Sequence, residues 1–135
     1  MAVETKQRVL FDELTDKPVC VEFTAPDQTT DGGVVLLKAI DRKMGLTEGM
    51  AGAMRDPREA GKVRHPIHAM LQERVLAIAC GYPDANDAAR LEGDPAMRLA
   101  CERREQGLAS QPTLSRFENA ATPADLLRMG IALTE

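Results

Sequence analysis

From residue 34 onward the apolar positions recur at intervals of three and four, the spacing that lines one face of an α-helix. Val34, Leu37, Ile40 and Met44 fall on one predicted face, Lys38, Arg42 and Lys43 point away from it, and Gly45 ends the element. Leu46 to Met54 predicts a short second helix. Ile67, Met70, Leu71, Val75 and Ile78 form the longest stripe, opened by Pro66 and closed by Gly81, and this helix is expected to organise the core. Asp56-Pro57, Asp94-Pro95 and Thr122-Pro123 each place a capping side chain before a proline, which satisfies free amides and presets φ for a helix start. The helix from Pro95 is expected to reach about Gln106 and stop at Gly107, and Asp84 is expected to cap a helix over Ala85–Leu91.

The N-terminal stretch reads differently. Val19 to Phe23 is rich in β-formers and predicts one strand, with a partner near Val9–Phe11. Residues 1–27 therefore form a lead-in with a short β element, and residues 28–135 a helical domain. The predicted fold class is mainly α: a compact helical domain with a helix-turn-helix-like pair and a small N-terminal β element.

Composition sharpens this picture. The 135 residues are 44% apolar but only 3% aromatic, so aliphatic side chains and methionine must fill one domain's core. The net charge of −4 supplies no global field for nucleic acid, yet the charge is uneven. Residues 55–75 hold five Lys/Arg against three acids and residues 98–116 four against two, whereas 1–54 and 76–97 are acidic. Cys20, Cys80 and Cys101 are scattered and read as reduced thiols. With two histidines and no ligand spacing, no zinc site is expected. No apolar run approaches the ~20 residues that span a bilayer, and Met1–Lys6 lacks a signal peptide's centre. A cytoplasmic protein without membrane contact is expected.

Four groupings could carry chemistry. Asp94 to about Ala120 has helix-turn-helix dimensions, in which the second helix reads bases with its N-terminal residues. Gln111, Thr113, Ser115 and Arg116 are then the candidate base readers, and Arg103 and Arg104 the phosphate contacts; an ordinary helical hairpin with a polar face is the other reading. Arg55, Arg58, Lys62, Arg64, His65 and His68 form a second basic group, either a backbone clamp led by Arg64 and His65 or a solvated connection. Asp84, Asp87 and Asp94 could hold a metal, but capping by Asp84 and Asp94, with Asp87 paired to Arg90, accounts for them more simply. His65 and His68 could share a helical face, with no nucleophile or acid at a useful spacing.

Three segments resemble a known family when read in order. They are DGGVVLLKAIDRKMGL (31–46), RHP (64–66) with LAIACGYPDANDAARL (76–91) and DPAMRL (94–99), and LASQPTLSRFEN (108–119). Together they resemble the N-terminal region of bacterial insertion-sequence transposases of the DDE class, group-1 type, from about residue 28 to 120. The resemblance implies cut-and-paste DNA transposition, with this region recognising the element's terminal repeats. It places catalysis in an RNase H-like domain whose three acids hold two metal ions, the first on a strand beyond the 108–119 segment. On that basis the chain is expected to be no enzyme itself, its catalytic acids lying past residue 135, and to need no cofactor, magnesium serving only that further domain. Double-stranded terminal-repeat DNA is the expected partner, with a second copy or a full-length transposase as further candidates. The alternative is a truncated transposase acting as a protein-interaction or regulatory module.

Overall fold

The computed structural model describes residues 28–134, together with the backbone of two short strands, β1 (Gln7–Arg8) and β2 (Cys20–Val21). They pair antiparallel, Gln7 opposite Val21 and Arg8 opposite Cys20. Part of the expected strand is therefore present, and its partner lies just upstream of Val9–Phe11; residues 9–11 and the rest of 19–23 lie outside the described residues.

The remainder is helical: α1 (Val34–Met44), α2 (Leu46–Gly52), α3 (Ile67–Ala79), α4 (Ala88–Leu91), α5 (Pro95–Ala100), α6 (Gln111–Ala120) and α7 (Pro123–Ala132). Single 3-10 turns at Ala60–Lys62 and Ala85–Asp87 lie between them. The mainly α class expected from the periodicity is the class observed.

α3 is the axis of the fold and packs against α1, α2, α5 and α6. Met70, Leu71, Leu76 and Ala77 are buried on it, but so are Gln72, Glu73 and Arg74. A buried polar group without a partner costs roughly 1–3 kcal/mol, so each of the three must be met by a neighbouring element. Gln72 accepts from Lys38 Nζ (3.1 Å) and donates to Asp41 Oδ2 (2.9 Å), tying α3 to α1. Glu73 accepts the Ala109 amide at 2.9 Å. Arg74 pairs with Glu118 of α6 and donates to the Pro83 carbonyl at 2.9 Å. Val34, Leu76, Leu91, Met97 and Leu108 belong to the larger apolar cluster. Met70, Ala88, Ala109 and Leu114 form a smaller one, with Phe117 against it.

Two predicted faces are corrected. α1 turns Val34, Lys38 and Asp41 inward, while Ile40 and Met44 are exposed, Met44 by 67%. The cause is a polar network: Thr47 donates to Asp41 from its amide (2.8 Å) and its hydroxyl (2.6 Å), and Gln72 joins them from α3. Burial works to raise the Asp41 pKa, but the Thr47 and Gln72 hydrogen bonds and the Lys38 charge outweigh it and hold the carboxylate low. On α3, Ile78 is 52% exposed, because the enclosed part of the helix ends at Ala77.

Two helix boundaries also differ from expectation. No helix starts at Asp56-Pro57, since the Arg58 guanidinium captures the Asp56 carboxylate at 2.7 and 2.6 Å. α5 stops at Ala100 instead of Gln106. Glu102 adopts a left-handed backbone (φ 55°), its amide bonds Leu99 O at 3.0 Å, and the Arg103 amide bonds Arg98 O at 2.9 Å, a Schellman closure. Ten residues, 101–110, therefore join α5 to α6 where a helix-turn-helix has a turn of about three or four.

Candidate nucleic-acid interface

The connector that interrupts the expected helix brings the two basic segments together. Arg103 Nη2 donates to Arg64 O (3.2 Å) and to His65 Nδ1 (3.1 Å), and Arg103 Nε donates to Gly107 O (3.2 Å). Beside this tie lies a cleft of about 310 Å³. The first segment contributes Arg58, Lys62, Arg64 and His65 to its lining; the second contributes Leu108, Ser110 and Thr113, and Glu92 adds one carboxylate. The cleft thus combines cations with hydroxyls, the donors that bind phosphate oxygens.

The cations differ in what they are free to do. Arg58 is held by Asp56 and also donates to the His65 carbonyl at 3.1 Å. Lys62 forms an exposed pair with Glu59 at 2.6 Å, which solvent weakens. The Arg64 side chain is exposed and has no hydrogen bond or ion pair among the described residues. His65 is half-buried; burial lowers its pKa, and Arg103, Arg64 and Arg58 push the same way, so the ring is neutral near pH 7.

The other expected site residues are distributed around α6 and the connector. Thr113 lines the cleft and shares a 3.0 Å hydrogen bond with Ser110. Gln111 donates to Asn86 Oδ1 (3.2 Å) and Ser115 Oγ (3.1 Å), so both Gln111 and Ser115 are engaged on the side facing the 85–87 turn. Arg116 is exposed and unpaired among the described residues. Arg103, expected on phosphate, is occupied as the tie just described. Arg104 is exposed on the connector, does not line the cleft, and its carbonyl accepts from Arg98 at 2.6 Å. His68 stands apart from His65, with Nε2 3.1 Å from the Thr47 hydroxyl. Glu92 and Leu108 were not foreseen in the cleft, and nothing in their sequence context marks them.

Among the described residues no group of three or more His, Cys, Asp or Glu is placed to share a metal ion. Asp84 accepts from the Asn86 amide (2.9 Å), and Asp94 accepts from the Met97 amide (2.8 Å) and the Thr29 hydroxyl (2.7 Å). Arg90 does not pair with Asp87 among the described residues; it lies over the Tyr82 ring at 5.7 Å. Asp84 and Asp94 thus act as the helix caps that their positions predict. No described helix is long and apolar enough to cross a membrane.

No curated protein and no solved structure shows detectable similarity to the chain. A family model does match: transposase DDE domain, group 1, over residues 11–135. This overturns the expectation that the chain is no enzyme. That expectation located catalysis wholly beyond residue 135, whereas the match assigns residues 11–135 to a DDE-type domain, a catalytic class. DNA is the substrate on which transposases act and so is a partner of this protein. Since the match spans nearly its whole length, the chain belongs to the group 1 transposase DDE domain family.

Proposed function

We propose that the helical part of this transposase grips the terminal-repeat DNA of a bacterial insertion sequence, the cleft holding backbone phosphate and the exposed face of α6 approaching bases. One observation carries the reading: Arg103 is tied to His65, 38 residues before it, so the cations of the first basic stretch and the hydroxyls around the start of α6 line one cleft. Arg64 supplies its uncommitted charge and Ser110 and Thr113 its hydroxyls. Arg116, one turn from Thr113, is the residue placed to reach a base edge.

Fluorescence anisotropy of terminal-repeat and unrelated duplexes over a salt series tests this. Arg64→Ala weakens both duplexes alike and reduces the salt slope by about one, the signature of a lost phosphate contact. Arg116→Ala costs about 1–3 kcal/mol on the terminal repeat and much less on unrelated duplex. Equal, small effects from both, at unchanged stability, refute the DNA face. A second reading, contact with another transposase molecule, is favoured by the exposed Leu126, Leu127 and Ile131 of the last helix and Leu133 just past its end. Charge substitution of Leu127 that alters self-association while duplex affinity is unchanged supports it.

A further inference from the structure

Arg103 has no acceptor atom, so a hydrogen bond between its Nη2 and His65 Nδ1 has only one possible sense: the guanidinium donates and Nδ1 presents its lone pair. A neutral imidazole with Nδ1 unprotonated carries its proton on Nε2. Arg103 is in turn fixed by the Gly107 and Arg64 carbonyls, at 3.2 Å each, so its aim at the ring is set by backbone on both sides. His65 belongs to the cleft lining, with the Nε2–H as its remaining donor.

We propose that Arg103 is a positioning residue that locks His65 as a neutral Nε2–H donor, and that the cleft takes a phosphate oxygen through this N–H together with the Arg64 guanidinium. The proposal rests on the DNA-gripping reading for the source of that phosphate, a nucleic-acid backbone, with free inorganic phosphate as the other source of the same chemistry.

Its consequence is unusual for a histidine. An ordinary histidine binds phosphate better as pH falls, because it gains a charge. Here a second proton would have to enter at Nδ1, where the Arg103 N–H already points, so protonation and the tie to Arg103 are mutually exclusive. The charged groups near the ring reinforce this. Arg103 comes from the 101–110 connector, Arg64 lies beside it, and Arg58 and Lys62 come from the preceding segment; Glu92 is the single carboxylate of the cleft. Burial, and after it this excess of cations, lowers the ring's pKa. The cleft's affinity for a nucleic-acid phosphate therefore depends less on pH near 6.5 than an ordinary histidine would make it.

The test uses the full chain. Long-range proton–nitrogen correlation spectra of the His65 ring report which nitrogen holds the proton; Nε2–H is expected, and inorganic phosphate at saturating concentration shifts that signal. Duplex affinity by anisotropy is expected to depend on pH less steeply in the wild type than in Arg103→Met. In Arg103→Met one of the charges that lower the ring's pKa is gone and Nδ1 is open to a proton, so the pKa rises, both tautomers populate, and affinity gains more as pH falls than it does in the wild type. His65→Gln, whose amide N–H reaches the Nε2 position, retains affinity, whereas His65→Asn loses roughly tenfold, the value of one hydrogen bond to a charged oxygen. Circular dichroism confirms that the variants fold. A ring protonated on Nδ1, or His65→Gln and His65→Asn alike in affinity on a duplex that binds, overturns the proposal while the DNA reading stands. Absence of any duplex binding, with the Nε2–H signal present and responsive to inorganic phosphate, overturns the DNA reading and leaves the phosphate site in place.

Discussion

Glu73 is a carboxyl with 4% of its surface exposed, midway along the central helix. Burial pushes its pKa up to about 7, against the Ala109 amide and the charges of Arg103 and Arg74, which favour the ionised form. Below pH 4.5, its ordinary value, the group is protonated in both folded and unfolded chains and contributes nothing to pH dependence. Between 4.5 and about 7 the folded chain holds a proton that the unfolded chain has released, so stability falls as pH rises through this window. Above it the full penalty applies, and the gap, at about 1.4 kcal/mol per pH unit, is about 3 kcal/mol. Glu73→Gln retains an oxygen for the Ala109 amide and never ionises. It is expected to exceed the wild type in stability by under about 1 kcal/mol at pH 5 and by about 3 kcal/mol at pH 8. Urea unfolding followed by far-UV circular dichroism at both pH values measures the difference. An equal gap at the two pH values, or a less stable Gln variant at pH 8, refutes the assignment of a buried, reluctant acid.

The remaining predictions concern packing and reactivity. Met70→Asp abolishes cooperative unfolding because the site is 2% exposed, whereas Ile78→Asp, on the half-exposed end of the same helix, changes stability by no more than about 0.5 kcal/mol in thermal melts. Thr47→Val withdraws the hydroxyl that donates to the buried Asp41 and costs about 1–3 kcal/mol by urea unfolding, while Thr47→Ser restores most of it. Cys101, its thiol pushed up to about 12 by burial and then by Glu73, resists a thiol reagent at pH 8 until the chain unfolds; half-buried Cys80 reacts before Cys101, and the reverse order of these two would contradict the burial pattern.

Two of the three cap-plus-proline helix starts, at Asp94-Pro95 and Thr122-Pro123, were legible because each is encoded in a few adjacent residues. At Thr122-Pro123 the hydroxyl and the Asp125 carboxylate form a reciprocal capping box, and at Asp94 the side chain accepts the Met97 amide, as their types and spacing require. The faces of α1 and α3 were legible only in part: Val34, Met70 and Leu71 are buried where the pattern puts them, but hydrophobicity alone assigns Lys38 and Gln72 to solvent. What holds them inside is a set of partners on other elements: Asp41 and Thr47 for Gln72, and Gln72 for Lys38. The end of α5 was hidden for another reason. Glu102 occupies a left-handed position that usually selects glycine, and the residues after it suit a helix well, so local pattern runs on to Gly107. That hidden break also shapes the candidate site. A helix continuing to Gln106 would have set Arg103 in a regular helical turn; the Schellman closure at Ala100 frees the next residues to form the connector from which Arg103 reaches His65. The basic segments could be read from the chain as two separate charge clusters, but their union depends on one residue's backbone conformation, which residue type does not encode.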